Sequence, residues 1–177
     1  KSSAVSPSEI RHAMLGTTHA TNAIVQRRGL AKVGVLRLSA PSGSSIPPYT
    51  DWPDDIVQTL GGVYRIVKGG YEYNGVPIAA TDENEIRTAV REMKSAGVEA
   101  LAISGAFSLV NSEQEEKAAE ISREVLGKDF PVAVSHQIGS IGLVERENAA
   151  ILNAAIQRMA EEAYGSFENV LERHGID

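Results

Sequence analysis

The segment GTTHATN at residues 16–22 has the residue types of an anion-binding turn. A helix is predicted to open within this segment and to end near Gly29. Free backbone N–H groups and hydroxyls at the positive end of a helix suit a phosphate or a carboxylate. The same threonines can instead cap the helix through its own N–H groups, so both interpretations stay open. The positions concerned are Gly16, Thr17, Thr18, Thr21 and Asn22.

Four further side chains have types suited to a site. His136 follows a predicted strand and is either a proton carrier or a structural hydrogen-bonding residue. Glu145 suits the first turn of a helix, whereas Arg146 there opposes the helix dipole and is either an anion ligand or half of an ion pair. Asn153 interrupts an apolar helical stripe and is expected to need a buried partner.

Composition excludes several functional classes. The 177 residues carry a formal net charge of −6, which argues against a nucleic-acid partner or an anionic membrane surface. The chain has no cysteine, so disulfides, thiolate metal sites and cysteine nucleophiles are excluded, and a cytoplasmic location is expected. No apolar run has the length of a membrane-spanning helix. No spacing of histidines and acids predicts a metal held by this chain alone.

Alternating strands and helices must position these residues. The predicted strands lie at residues 13–17, 31–38, 98–104 and 131–135, and the main helices at 18–28, 82–96, 112–126 and 143–174, the last with a break at Gly165. This alternation predicts a single α/β domain over residues 1–177 with a mainly parallel sheet and flanking helices. Ligands of such sheets bind beyond the carboxyl ends of the strands. We therefore expect residues 16–22, 39–45, 104–108 and 135–140 to share one rim.

The stretch from residue 39 to about residue 80 is predicted to be an insertion. Residues 39–54 contain four prolines and the single tryptophan, Trp52, and read as a long loop, either a lid or a surface loop with an aromatic anchor. Short strands around Gly69 and a turn at Asn74-Gly75 predict a small antiparallel element.

These motifs together resemble the N-terminal region of the hydantoinase A/oxoprolinase family of ATP-dependent cyclic-amide hydrolases, which are related to acetone carboxylase subunits. The matching stretches are GTTHATNAIVQRRG (16–29), KVGVLRL (32–38), AVREMKSAGVEALAIS (89–104) and ERENAAILNA (145–154). The resemblance implies a partial actin-like, ribonuclease H-like domain. It also implies a parent enzyme that uses ATP and Mg²⁺ to open a hydantoin-like or 5-oxoproline-like ring, by phosphorylation of the amide oxygen.

The resemblance also carries residues over by position. Gly16, Thr17, Thr18, Thr21 and Asn22 match the family's Gly-Thr-Thr motif, and Glu145, Arg146 and Asn153 match its Glu-Arg…Asn motif. Further domains of the parent, and a second subunit, are the implied partners, beside a small cyclic-amide substrate.

Two departures qualify the resemblance. The Asp-x-Gly-Gly-Thr strand motif of the family is missing, and the chain ends at about the point where the next family domain begins. We therefore expect a portion of a larger enzyme that is inactive alone and that pairs an exposed sheet edge with a second copy. The alternatives are a non-catalytic assembly or regulatory module and a kinase-like phosphotransferase.

Overall fold

A computed structural model of the chain describes residues 10–16, 18–140 and 142–176. The helices are α1 (His19–Gln26), α2 (Asp54–Leu60), α3 (Glu83–Ser95), α4 (Glu113–Leu126) and α5 (Leu143–Arg173). The strands are β1 (Val33–Ala40), β2 (Val63–Lys68), β3 (Ala100–Gly105) and β4 (Val132–Val134), and a 3₁₀ turn over Ser135–Gln137 follows β4. None of the helices among these described residues is long and apolar enough to cross a membrane.

The four strands form one parallel sheet in the order β2-β1-β3-β4. This arrangement confirms the predicted α/β class with a mainly parallel sheet. The strands β1 and β3 are almost entirely buried, as a sheet covered on both faces requires. Connections leave β1 and β3 in opposite directions, so the carboxyl ends of these two strands form the topological switch point.

A hydrophobic core lies on each face of the sheet. On one face, α3 and α4 contribute Ile86, Met93 and Ile121 against Leu36 and Ile103 of the strands. The predicted inward stripe of α3, formed by Ile86, Val90 and Met93, is confirmed by their complete or near-complete burial.

The second core belongs to α2 and α5. Ile56 and Leu60 of α2 pack with Ile151 of α5 against Val33 and Val35 of β1. The helix α5 is continuous through Gly165, so the predicted break is wrong.

Two predictions about strands are also wrong. Residues 10–16 contain no strand, whereas residues 63–68, predicted to be antiparallel, form the parallel edge strand β2. Within the predicted insertion, the antiparallel part is a single bridge between Tyr71 and Pro77 around the Asn74-Gly75 turn. The crossover through α2 is the reason: a helix between β1 and β2 returns the chain parallel to β1.

Candidate functional site

Buried polar side chains meet where the strands end at the switch point. They come from β1, β3, the turn after β4, and the facing sides of α4 and α5. The members of this network are Arg37, Ser104, Glu115, Ser135, His136, Arg146 and Glu147. Burial of this many charged groups requires that each has a partner.

The network consists of two hydrogen-bonded groups side by side, and Arg37, Ser104 and Glu147 form the first of them. Arg37 Nε donates to Glu147 Oε2 at 2.7 Å, and Arg37 Nη2 donates to the other carboxylate oxygen. Ser104 Oγ donates to Glu147 Oε2 at 2.6 Å. Arg37 Nη1 donates to the carbonyls of Gly43 and Ile46, which ties the loop after β1 to the sheet. A two-bonded guanidinium–carboxylate pair fixes the relative position of β1 and α5.

Arg146 is held by neutral acceptors. Its Nη2 donates to the carbonyl of Gly105 at 2.7 Å and to Ser108 Oγ at 2.9 Å. Nη1 donates to the carbonyl of Gly142, and Nε to Ser135 Oγ. Burial lowers the pKa of Arg146, and the negative charges of Glu115, Glu145 and Glu147 oppose that shift.

The two interpretations of Arg146 from sequence were an anion ligand and an ion pair. Among the described residues, no carboxylate lies within ion-pair distance of its guanidinium. The geometry instead gives Arg146 a positioning role, because its four hydrogen bonds join the ends of β3 and β4 to the start of α5.

His136 lies between two glutamates of α4. Its Nδ1 is 2.7 Å from Glu115 Oε2, and its Nε2 is 3.0 Å from Glu116 Oε1. Glu115 is buried and also accepts hydrogen bonds from Ser135 Oγ at 2.7 Å and from the backbone N–H of His136 at 3.1 Å. Both ring nitrogens are therefore engaged within the protein, which is the arrangement of a structural hydrogen-bonding histidine.

A cavity of about 380 Å³ lies beside Arg146, between the loop after β3 and the start of α5. Phe107, Leu109 and Val110 line it and are about half exposed. Ser140 and Gly142 contribute the polar part of the wall. Because the N–H groups of Arg146 are largely committed to the network, this cavity offers mostly apolar contacts.

The Gly-Thr-Thr segment lies elsewhere. Gly16 and Thr18 line a second cleft, of about 640 Å³, against the C-terminal half of α5 at Met159 and Phe167. Thr17 lies outside the described residues. Thr18 is the N-cap of α1 but its side chain makes no capping bond, and its hydroxyl accepts from Asn22 Nδ2 at 3.3 Å. Thr21 and Asn22 are exposed.

This placement contradicts the prediction of one shared rim for residues 16–22, whereas the predicted segments 39–45, 104–108 and 135–140 do lie at the carboxyl ends of the strands. The N–H of Ala31, just before β1, donates to the carbonyl of Ala155 in the middle of α5. Met159 lies one turn further along, about 20 Å from Arg146 at 1.5 Å per residue. Residues 16–22 therefore flank the opposite end of the sheet from His136 and Arg146. The prediction failed because residues 10–16 form no strand that would deliver them to the carboxyl edge.

The remaining two candidates lie on the outer side of α5. Asn153 is exposed and lines a third cleft with Leu15 and His19, so the expectation of a buried partner is wrong. The structure thus brings Asn153 near the Gly-Thr-Thr segment. Glu145 is exposed in the first turn of α5 and lines a fourth cleft, which also contains Trp52.

The network residues do not fit the nucleotide and metal that the resemblance implies. Both oxygens of Glu115 and both oxygens of Glu147 accept hydrogen bonds from the protein, and both side chains are buried. Over the described ranges, no group of three or more His, Cys, Asp or Glu side chains is arranged to hold a metal ion. The acids of the network are therefore occupied by protein donors and take no part in a step that involves ATP or Mg²⁺.

Sequence reasoning missed the partners of this network. Arg37 lies within an apolar strand, and Glu147 lies near the start of a helix, where the dipole favours an acid without any partner. One signal was available: a lone arginine in a strand predicted to be buried on both faces needs a buried acid.

The fold and the site define an α/β domain whose buried polar groups form an internal frame beside the carboxyl ends of a parallel sheet. The chain belongs to the hydantoinase/oxoprolinase N-terminal region family, whose model matches residues 1–126. The resemblance stated from sequence is thereby confirmed.

Known proteins support this assignment. The chain is 30% identical over 115 residues to the acetophenone carboxylase gamma subunit of Aromatoleum aromaticum, a match that covers 62% of the chain and 16% of that protein.

Two solved structures share the fold. The ATP-dependent caprolactamase from Pseudomonas jessenii aligns with a TM-score of 0.72 and 23% identity over 90% of this chain and 24% of that one. A nucleotide-free acetone carboxylase structure, from a study of ATP-dependent acetone carboxylation, aligns with a TM-score of 0.68 and 22% identity over 88% of this chain and 25% of that one. The chain therefore spans a quarter or less of the length of these relatives.

Proposed function

We propose that the chain is the N-terminal portion of an ATP-dependent cytoplasmic hydrolase that opens a cyclic amide of the hydantoin or 5-oxoproline type. The observation that carries the proposal is the family match over residues 1–126. The fold likeness to an ATP-dependent caprolactamase over 90% of the chain supports it, since that relative's name denotes cleavage of a ring amide.

The chain's share of this activity is to bind substrate and to hold the cleft walls. The buried acids and arginines of the switch-point network have partners within the chain, so they fix the start of α5 and the loops after β1 and β3. ATP and Mg²⁺ are then bound with the help of other parts of the enzyme. Within the chain, the proposed substrate- or nucleotide-binding candidates are Gly16, Thr17, Thr18, Thr21, Asn22, Glu145 and Asn153, whereas the sequence-based candidates His136 and Arg146 act as positioning residues.

A direct test uses the complete enzyme that contains this chain, with any partner subunit. Purified enzyme is incubated with ATP, Mg²⁺ and either hydantoin, 5-oxoproline or caprolactam, and ADP and ring-opened acid are measured together. We expect the two products in equal amounts with one of the cyclic amides. A carboxylated ketone, formed from acetone or acetophenone with bicarbonate, would contradict the proposal, and so would a stable phosphorylated product.

A non-catalytic assembly module is the second candidate function. Phe107, Leu109 and Val110 leave a half-exposed apolar group beside the switch point, which suits contact with another domain or subunit. This function predicts that Phe107→Ser weakens assembly of the complete enzyme, while every cyclic amide leaves ATP hydrolysis by the complete enzyme unchanged.

A further inference from the structure

We infer that a cleft between residues 50–53 and the first turns of α5 is a binding site for a small, uncharged ring that carries N–H groups. This cleft, called here the Trp52 cleft, has a volume of about 490 Å³. Its apolar wall is formed by Ile24, Ile56 and Leu152. Asp51, Trp52, Glu145 and Asn148 contribute polar groups without partners among the residues that the structure describes, while Arg27 and Thr50 line the cleft with side chains hydrogen-bonded to Asp55 and Pro47. The inference rests on the proposed function, because it specifies which cyclic amides the enzyme accepts.

Four polar side chains of the cleft have no hydrogen-bond or ion-pair partner within the described part of the chain. No hydrogen bond or ion pair there engages the Asn148 carboxamide, the Glu145 carboxylate or the indole N–H of Trp52. Glu145 and Asn148 are three residues apart and therefore lie on the same face of α5. The two residues directly between Glu145 and Asn148, Arg146 and Glu147, are instead fully engaged in the switch-point network.

The two faces of α5 therefore differ in whether their polar side chains already have partners. The face turned toward the sheet has every charged group satisfied, while the face turned toward the proline-rich loop has donors and acceptors available. Ligand sites combine apolar walls with a few polar groups that fix orientation. The Trp52 cleft has this composition, whereas the cavity beside Arg146 has its polar group already committed.

The loop that carries Trp52 is fixed before any ligand arrives. The Tyr49 hydroxyl donates to the carbonyl of Val33 at 3.2 Å, and the tyrosine ring is buried. The rings of Tyr49 and Trp52 meet edge to face with their centroids 5.4 Å apart. Thr50 Oγ1 also donates to the carbonyl of Pro47 at 2.6 Å. An indole fixed in this way offers a ready surface for a planar ring, with little ordering entropy left to lose.

Charge decides which rings the cleft accepts. Neither Asp51 nor Glu145 forms a contact ion pair among the described residues, although the negative charge of Glu145 also acts on Arg146. Arg27, the cation of the wall, is already paired with Asp55 at 3.0 Å and with the carbonyl of Ile24. A ring N–H donates to these carboxylates, whereas a carboxylate on the ring is repelled by them. The cleft therefore favours a hydantoin-type ring over 5-oxoproline, which carries an acid group.

Fluorescence of the complete enzyme gives a direct test when the signal of Trp52, the only tryptophan of these 177 residues, is taken as the difference between the wild type and Trp52→Phe. Emission is followed during titration with hydantoin and, separately, with 5-oxoproline. We expect a saturable change with hydantoin and at least about tenfold weaker binding of 5-oxoproline. Asn148→Ala should weaken hydantoin binding by about tenfold, the effect of losing one good hydrogen bond. Glu145→Gln should reduce the discrimination against 5-oxoproline.

Glu168→Gln is the matched control, since Glu168 is exposed on the same helix and does not line the cleft. Equal affinity for the two rings, or no saturable change with hydantoin, would overturn the inference. These outcomes are separable from the proposed function: ATP-dependent ring opening without binding at Trp52 refutes the site alone. Binding at Trp52 by an enzyme that opens no ring leaves the site standing and refutes the proposed function.

Discussion

Arg37 and Glu147 are 110 positions apart in sequence and form an ion pair in which each side chain is 1% exposed. Removal of one member leaves the other charge buried without its partner, which costs about 3–5 kcal/mol. We therefore expect Glu147→Ala to lower the free energy of unfolding by about that amount. Urea denaturation of the chain at neutral pH measures it.

The pair of Arg65 and Glu92 is the matched control. It has a similar distance, 2.9 Å, but both side chains are about half exposed. Glu92→Ala should therefore cost less than about 1 kcal/mol. Equal losses for Glu147→Ala and Glu92→Ala would show that the switch-point network does not stabilise the fold as its burial implies.

A comparison of Arg146 with Thr18 separates positioning from binding. Arg146→Ala removes the donor of four hydrogen bonds and leaves the buried Ser108 hydroxyl without a partner, at a cost of about 1–3 kcal/mol. The Gly105 carbonyl keeps the N–H of Ser108, and the Ser135 hydroxyl keeps Glu115. We expect stability and enzyme activity to fall together. Arg146→Lys should not restore either, because lysine lacks the planar fork.

Thr18→Ala should behave differently, since the Thr18 hydroxyl makes only an exposed bond with Asn22 and no helix cap. Its effect on stability should stay within about 0.5 kcal/mol. If the segment binds ligand, the activity of the complete enzyme falls nonetheless. Unchanged activity with unchanged stability would remove Thr18 from the binding candidates.

The spacing of apolar residues along the sequence predicted much of the fold. Strands predicted at 31–38 and 98–104 are found at Val33–Ala40 and Ala100–Gly105, and the helix predicted at 112–126 is found at Glu113–Leu126. Continuous apolar runs and capping residues are local signals, so they are readable without tertiary information. The direction of β2 is not local: it depends on the crossover through α2 and on pairing with β1.

Only part of the candidate site could be predicted from the sequence. Arg146 and His136 were placed correctly at the carboxyl edge, but the predicted neighbourhood with residues 16–22 required a strand that the described residues 10–16 do not form. The helical stripe predicted a buried position for Asn153, but Ile151, Ala154 and Ala155 form the buried face of α5 here, and Asn153 lies on the exposed outer face. Periodicity gives the face of a helix, but packing decides how much of that face is covered.

The raised pKa of Tyr49 can be tested by unfolding the chain at alkaline pH. Burial raises the pKa of Tyr49, and the charge of Glu147 raises it further. The folded state therefore keeps this proton at pH values where the unfolded chain loses it. The stabilisation is complete below about pH 10, the ordinary tyrosine value, and is lost as pH rises above it, by up to about 1.4 kcal/mol per pH unit.

Tyr49→Phe should remove this component. Urea unfolding of both proteins is measured between pH 8 and about pH 11.5. The variant is expected to be less stable at neutral pH by about 1 kcal/mol, because the bond to the carbonyl of Val33 is lost. Above about pH 10 the difference between the two stabilities should shrink, and by about pH 11.5 it should reverse, because only the wild type loses up to about 1.4 kcal/mol per pH unit through Tyr49. Parallel profiles over the whole range would contradict the assignment of a raised pKa to Tyr49.

Gly43 and Gly16 provide the last test, because a methyl group meets very different surroundings at the two positions. A Cβ at Gly43 would lie 2.4 Å from Ser39 Oγ, inside the loop that the Arg37 side chain holds. We expect Gly43→Ala to cost about 1–3 kcal/mol, as overpacking of a filled site does. A Cβ at Gly16 meets nothing within 4 Å, so Gly16→Ala should leave urea unfolding unchanged.

The activity of the complete enzyme then shows whether a ligand binds close to Gly16. If a ligand approaches the backbone at this position, Gly16→Ala lowers the activity of the complete enzyme by raising KM while the fold stays intact, because the methyl group occupies space that only the ligand uses. Retention of the wild-type KM would show that no ligand comes close to Gly16. If Gly16→Ala destabilised the chain as much as Gly43→Ala, the conclusion that an added methyl group has room at residue 16 would be wrong.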